Sequence, residues 1–182
     1  MSTFIKRNNS FFSDALIKES QGLEFLRKQI ASARVGELHV PDVFAVSESE
    51  LELTHIVSGS PIKNSTLNQM ADLGRGLARL HMIEQSQYGL DCDNYIGLNP
   101  QVNGFCCDWG EFFLSNRLRY QINLISSQPI KNEFLEALEK VVGSLKQYLN
   151  ASVSYPSLVH GDLWSGNVLF DETKVWLIDP AV

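Results

Sequence analysis

The chain has 182 residues, a formal net charge of −6, and 44% hydrophobic and 20% charged residues. This length supports one domain or two small lobes with a real core. The negative charge argues against a nucleic-acid partner bound through a broad basic face. No apolar run approaches the roughly 20 residues that cross a bilayer, so no membrane partner is expected. An odd cysteine count, with Cys106 and Cys107 adjacent, disfavours a disulfide framework and indicates a cytoplasmic protein.

The first residues predict a short strand followed by a helix. The strand covers residues 3–6, and the helix runs from a cap at Ser13 or Asp14 to about Ser32. Glu19 falls on the apolar stripe of this helix. Either its carboxylate is paired, because burying a lone charge is costly, or it lies at the edge of the stripe and reaches water. The spacing leaves both interpretations open.

Two further strands are predicted at residues 41–46 and 51–56, with a polar turn between them. The segment Val57 to Pro61 then breaks regular structure. It predicts a boundary between a small lobe at 1–57 and a large lobe at 58–182.

The large lobe is predicted to be mainly helical, with a loop-like stretch from 84 to 107. Helices are expected near 67–81, 109–125 and 131–150. One apolar face of the first is expected to contain Leu67, Met70, Gly74, Leu77, Ala78 and His81, and the small residues Gly74, Gly76 and Ala78 are expected to suit close packing against a neighbour. One apolar face of the last is expected to contain Phe134, Leu138, Val141, Leu145 and Leu149. Short strands near 168–170 and 175–178 end the sequence, and this segregated order indicates an α+β fold.

The polar loop between residues 158 and 180 carries the strongest functional signal. Asp162 stands five residues before Asn167, and Asp179 follows twelve residues later. Phosphoryl transfer from ATP needs a carboxylate beside the attacking hydroxyl, and Asp162 is the candidate base. Mg²⁺ prefers hard oxygen ligands, which Asn167 and Asp179 offer. The pattern therefore predicts a kinase site for ATP and Mg²⁺.

Simpler interpretations exist for the same residues. Asp162 and Asn167 could belong to a polar turn in which they cap local backbone groups. His160 is expected to hold the loop by bonding to nearby backbone rather than to act as the base, and Gly166 to ease the turn. Lys6 alone would be a solvated charge at a strand edge. It gains interest because Glu19 follows it, repeating the Lys–Glu pair that holds ATP phosphates in kinases.

Two motifs carry a resemblance to a known family. The octapeptide from His160 to Asn167, with Ile-Asp-Pro-Ala at 178–181, resembles the fructosamine kinase (ketosamine 3-kinase) family. That family has an aminoglycoside-phosphotransferase-like, protein-kinase-like fold. Trp164 and Ser165 separate this pattern from relatives that act on aminoglycosides or choline. The segment from Asp108 to Leu118 is similar to the family's Trp-x-x-Phe-Phe-x-x-x-Arg-Leu helix.

The resemblance implies ATP-dependent phosphorylation of a sugar hydroxyl of a ketosamine, either as a small molecule or as a glycated protein amine. In the family this reaction serves deglycation repair. The resemblance gives Asp162 as the base, and Asn167 and Asp179 as Mg²⁺ ligands. Lys6 then binds phosphate with Glu19 as its partner, and residues 52–57 border the adenine.

The sequence also departs from the family. Only five residues precede Lys6 and three follow Asp179, so we expect this chain to lack the Gly-rich hairpin of a kinase small lobe and the family's helices after the Ile-Asp-Pro strand. We therefore expect an incomplete two-lobe kinase fold. The alternatives are another aminoglycoside-phosphotransferase-like small-molecule kinase, or an inactive pseudokinase-like module.

Overall fold

Helices and short strands are mixed along the chain, as the computed structural model shows for residues 2–57, 60–61 and 65–182. The helices are α1 (Ala15–Ser32), α2 (Leu67–His81), α3 (Trp109–Phe112), a π-helical segment (Phe113–Arg119), α4 (Tyr120–Asn123) and α5 (Gln128–Ala151). The strands are β1 (Thr3–Arg7), β2 (Leu38–His39), β3 (Val43–Val46), β4 (Glu50–Thr54), β5 (Ser60–Pro61), β6 (Asn94–Ile96), β7 (Asn99–Gln101), β8 (Val168–Phe170) and β9 (Val175–Leu177). The predicted elements are therefore present, with β2, β5, β6 and β7 in addition.

The chain divides into two compact units. One comprises the described residues up to Ile83 together with Asn94–Asn99 and Leu158–Val182, and the other comprises Glu84–Asp93 and Pro100–Ser157. The predicted lobe boundary at residue 58 lies outside the described residues, so the division into lobes at 1–57 and 58–182 stays a prediction.

The first unit contains two sheets. An antiparallel sheet has the order β1-β4-β3, and a second sheet has the order β2-β9-β8-β5. Strand β2 lies parallel to β9, while β8 forms antiparallel pairs with β9 and β5. Leucine and valine side chains from α1, both sheets and α2 form one hydrophobic core, in which Leu26, Leu51 and Leu177 are completely buried. This core joins the N-terminal elements to the last strands.

Helix α2 buries a different face from the predicted one. The buried residues are Leu73, Gly76 and Leu80, with Leu77 packed against the core, whereas Leu67 is 89% exposed. The prediction of the face was wrong because Leu77 belongs to two possible stripes at helical spacing. Gly76 decides between them, since a Cβ there would lie 2.5 Å from Cγ of the buried Leu38.

The second unit is formed mainly by helices, and α3 packs on α5. The predicted face of α5 was also wrong in part. Leu138 is buried, but Phe134 and Val141 are about half exposed. The least exposed stripe instead follows Leu135, Leu138, Val142, Leu145 and Leu149. No helix in either described unit is both long and apolar enough to span a lipid bilayer.

The two glycines of α2 give a matched test of this packing. Gly76→Ala should lower the free energy of unfolding by about 1–3 kcal/mol, because the new methyl group overpacks Leu38. Gly74 lies two residues away, and a methyl group added there would have nothing within 4 Å. Gly74→Ala should therefore raise the free energy of unfolding by about 0.5–1 kcal/mol through helix propensity. Urea denaturation of both variants measures the difference, and equal effects of the two substitutions would contradict the assigned face.

Candidate active site

The polar loop is held between two neighbouring segments of backbone. Buried Leu158 leads into it, and its amide donates to the carbonyl of Ile83. The amide of Ala181 donates to the carbonyl of His160, and the amide of Ile178 donates to the carbonyl of Asn167. These two backbone hydrogen bonds hold the segment after β9 along the loop and bring Asp179 next to the loop.

His160 holds the loop from inside. Its side chain is buried, and its Nε2 lies 3.0 Å from the carbonyl oxygen of Ile178. Because a carbonyl only accepts, Nε2 carries the proton, and Nδ1 accepts from the amide of Asp162 at 3.4 Å. Burial lowers the pKa of His160, although both contacts oppose that shift. The predicted role of His160 in shaping the loop is confirmed by these bonds.

Two glycines shape the loop for different reasons. Gly161 has φ of +84°, and a Cβ there would collide with the carbonyl oxygen of Ala181. Gly166 is not among the residues with positive φ, and its missing side chain makes room for the indole of Trp164. Gly166 is thus needed in the turn for its missing side chain, and Gly161 is the glycine that supplies the positive φ.

Asp162 and Asn167 are joined directly. The Asn167 amide Nδ2 donates to the backbone oxygen of Asp162 at 2.8 Å and to its Oδ2 at 3.2 Å. Asn167 is buried, so these bonds fix its side chain. With Nδ2 directed at Asp162, Oδ1 is the atom of Asn167 that can serve as a cation ligand.

Lys6 lies between two carboxylates. Its Nζ is 2.9 and 2.8 Å from the two carboxylate oxygens of Glu19 and 3.0 Å from Oδ1 of Asp179. The side chains of Lys6, Glu19 and Asp179 are 29%, 15% and 43% exposed. Of the two interpretations of Glu19, the structure shows the paired one. The cluster joins β1, α1 and the segment after β9.

The charges in this cluster do not balance, because one ammonium faces two carboxylates. Burial raises the pKa of Glu19 to about 7; Lys6 opposes the shift and Asp179 adds to it. Burial would lower the pKa of Lys6, but Glu19 and Asp179 outweigh it, so the net shift is upward. The lysine therefore stays charged, and Glu19 is the group that can take up a proton near neutral pH.

All five predicted site residues line one cleft of about 240 Å³ in the first unit. Its other lining residues are Ala15, Lys18, Asn94, Tyr95, Gly97, Trp164, Pro180 and Ala181. Of these, Lys18, Asn94 and Tyr95 were not predicted as site residues. Helical spacing could have found Lys18, because it shares a stripe of α1 with Ala15 and Glu19, but nothing local connects Tyr95 with α1.

A second cavity of about 370 Å³ is mostly apolar and also reaches Lys6 and Asp179. It is lined in addition by Phe4, Pro41, Leu53, Thr54, His55, Ile56, Leu169 and Ile178. The predicted adenine-bordering segment at 52–57 thus supplies part of its wall.

The donor atoms fit a small divalent cation that keeps other oxygen ligands. Asn167 and Asp179 offer one amide and one carboxylate oxygen, and Mg²⁺ is commonly held by one or two protein groups plus phosphates. Over the residues that the structure describes, no cluster of three His, Cys, Asp or Glu side chains could hold a metal by itself.

Comparison with known proteins agrees with this geometry. A family model described as fructosamine kinase matches residues 1–182. The chain belongs to the fructosamine kinase family. Curated relatives of the family include a chloroplastic protein-ribulosamine 3-kinase from Arabidopsis thaliana, which is 30% identical over 99% of this chain. A protein named probable ketoamine kinase from Klebsiella aerogenes is 30% identical over 98% of it.

The chain spans 54% and 59% of the lengths of these two relatives. Among solved structures, one described as a candidate fructosamine-3-kinase from Thermobifida fusca YX-ER1 has a TM-score of 0.73 at 26% identity, covering 98% of this chain and 60% of that one. A second, from Haemophilus somnus 129PT, has a TM-score of 0.75 at 24% identity, over 98% of this chain and 58% of that one. This chain therefore shares its fold with both solved structures.

The cluster around Lys6 predicts a pH-dependent loss of stability. Lys6→Met leaves two neighbouring carboxylates without a cation, so the free energy of unfolding should fall by about 1–3 kcal/mol at pH 8. The pKa of Glu19 is about 4.5 in the unfolded chain and about 7 in the folded protein, so folding favours the protonated acid. The loss of unfolding free energy caused by Lys6→Met should therefore be small near pH 5 and grow as the pH rises through 7.

Urea denaturation at pH 5, 7 and 8 measures this trend. Lys28→Met is the control. Lys28 lies on α1, the helix that carries Glu19, but it is 75% exposed and pairs with Glu24 only at 3.9 Å. A pH-independent deficit in Lys6→Met would show that the carboxylate pair does not govern the effect.

Proposed function

We propose that this chain carries the phosphoryl-transfer site of a protein-kinase-like enzyme that phosphorylates a sugar hydroxyl of ketosamines, with ATP as donor and Mg²⁺ as the metal. The observation that carries the proposal is the convergence of Lys6, Glu19, Asp162, Asn167 and Asp179 on one cleft. The family membership and the names of the relatives support the ketosamine class of acceptor.

The chemistry requires few groups. The acceptor hydroxyl oxygen attacks the γ-phosphorus of ATP, the bond to the β,γ-bridging oxygen breaks, and ADP leaves. Asp162 would take the hydroxyl proton, and the hydrogen bond that its Oδ2 accepts from Nδ2 of Asn167 at 3.2 Å supports this role. Bound Mg²⁺ would neutralise phosphate charge, and Asn167 Oδ1 with Asp179 would hold it.

Lys6 would serve the phosphates of the donor. In the structure its ammonium is shared by Glu19 and Asp179. If Asp179 turns to the cation, Lys6 keeps Glu19 as its partner and can bind phosphate oxygen. The mostly apolar second cavity, which reaches Lys6 and Asp179 and includes Leu53 and Ile56, suits the adenine ring. The donor would then extend from this cavity toward Asp162.

We further propose a cytoplasmic location and repair of glycated amines as the setting of this reaction, with no nucleic-acid or membrane partner. The charge and the cysteine pattern of the sequence support the location. The ketoamine and ribulosamine kinase names of the relatives support the setting.

Two substitutions separate binding from chemistry. Asp179→Ala should weaken Mg-dependent ATP binding by roughly tenfold or more, because it removes the only proposed carboxylate ligand of the cation. Asp162→Asn should leave that binding intact and lower ketosamine-dependent ADP formation by roughly 10²–10⁴-fold. Calorimetry with Mg·ATP and an ADP-release assay with a ketosamine, an aminoglycoside and choline measure both effects.

Glu172→Ala is the control, since Glu172 is an exposed residue of the turn between β8 and β9. Absence of Mg-dependent ATP binding in the unsubstituted chain would refute the proposed site. Faster turnover with an aminoglycoside or choline than with a ketosamine would refute the acceptor class.

A further inference from the structure

One stripe of helix α1 faces the cleft. Ala15, Lys18 and Glu19 line it, and Gly22 continues the stripe at helical spacing. A Cβ at Gly22 would lie 3.5 Å from the carbonyl oxygen of Pro180, so α1 approaches the segment after β9 closely at this point. The close approach presents the polar side chains of the stripe to the same space as Asp162.

The cleft contains two lysines in different electrostatic situations. Lys6 is compensated by the carboxylates of Glu19 and Asp179. Within the described residues, no carboxylate oxygen lies within 4.0 Å of the Lys18 ammonium. Lys18 is therefore the lysine of the cleft that forms no ion pair within 4.0 Å with a described carboxylate, although Glu19, Asp162 and Asp179 line the same cleft.

The expected local partner of Lys18 is occupied elsewhere. Asp14 stands four residues before Lys18, the spacing at which ion pairs form on a helix. Its carboxylate instead accepts a hydrogen bond of 2.6 Å from the hydroxyl of Tyr95, whose ring stacks on Phe12 at 4.6 Å between centroids. This arrangement keeps Asp14 away from Lys18 and leaves the ammonium available to a ligand.

We propose that Lys18 binds a carboxylate of the acceptor, and that this site therefore favours ketosamine adducts of free amino acids over adducts that lack this carboxylate. The inference rests on the proposed function, because it takes Asp162 as the group beside the acceptor hydroxyl. An amino-acid adduct carries its carboxylate next to the glycated nitrogen, and the cleft places Lys18 and Asp162 around one volume of about 240 Å³. An adduct on the side chain of a protein lysine has no charge at that position.

A pair of ligands with nearly the same shape tests this assignment. The fructose adduct of glycine carries the carboxylate, and the adduct of glycinamide replaces it with a neutral amide. In the presence of Mg²⁺ and a non-hydrolysable ATP analogue, the unsubstituted chain should bind the glycine adduct about 2–5-fold more tightly, as expected for one partly exposed charge pair. Calorimetry measures both dissociation constants.

Substitutions at Lys18 test whether this residue causes the preference for the glycine adduct over the glycinamide adduct. Lys18→Met should bind both adducts equally, Lys18→Arg should restore part of the preference, and the control Lys28→Met should retain all of it. The affinity for the ATP analogue should be the same in all four proteins, because Lys6 rather than Lys18 is assigned to the phosphates.

Several outcomes overturn the proposal. Equal binding of the two adducts by the unsubstituted chain contradicts it, and so does a preference that persists in Lys18→Met. Weaker binding of the ATP analogue in Lys18→Met would assign Lys18 to the donor instead. If the analogue binds but neither adduct does, the acceptor class and this inference fail together. If the analogue does not bind, the proposed phosphoryl-transfer site itself fails.

Discussion

The site depends on a single ammonium group placed between two carboxylates. Lys6 comes from an edge strand, Glu19 from the first helix and Asp179 from the segment that follows the last strand. Each would be costly to bury alone, and each position is fixed by contact with the others. The cluster is one charge short of neutrality, because one cation faces two anions. A divalent cation beside Asp179 would take over the neutralisation of that carboxylate and leave Lys6 to Glu19 and phosphate, which connects the electrostatics of the structure with the proposed chemistry.

The parts of the site that are local in sequence could be predicted from it. Asp162, Asn167 and His160 lie within eight residues of one another, and their order alone indicated the loop and its chemistry. Pairing of Glu19 with Lys6 was one of two interpretations that the sequence left open. Spacing on a helix shows which face a residue lies on, but not which residue of another element lies opposite. The faces of α2 and α5 were predicted wrongly for a related reason. Each helix has more than one apolar stripe, and the packing partner decides which stripe is buried.

Other features required three-dimensional contacts that no local pattern reports. Tyr95 meets Asp14 across 81 positions, and this bond removes the natural partner of Lys18. Gly161 is needed because the backbone of Ala181 passes beside it, which the sequence of the loop does not reveal. Such residues can be recognised only when the distant segment is known, whereas motif residues are recognised from the chemistry they share.

The parallel pairing of β2 with β9 has a consequence for how the chain acquires its structure. Leu38 lies opposite Val175, so the core of the first unit stays open until Leu158–Val182 has been synthesised. At roughly 5–20 residues per second, on the order of 4–15 s separate Ile83 from Leu158 on the ribosome. During that interval α1 can already pack on β3 and β4, and β2 on α2, but the edge of β2 that pairs with β9 has no partner strand. Closure of this core is therefore a late, long-range step of folding.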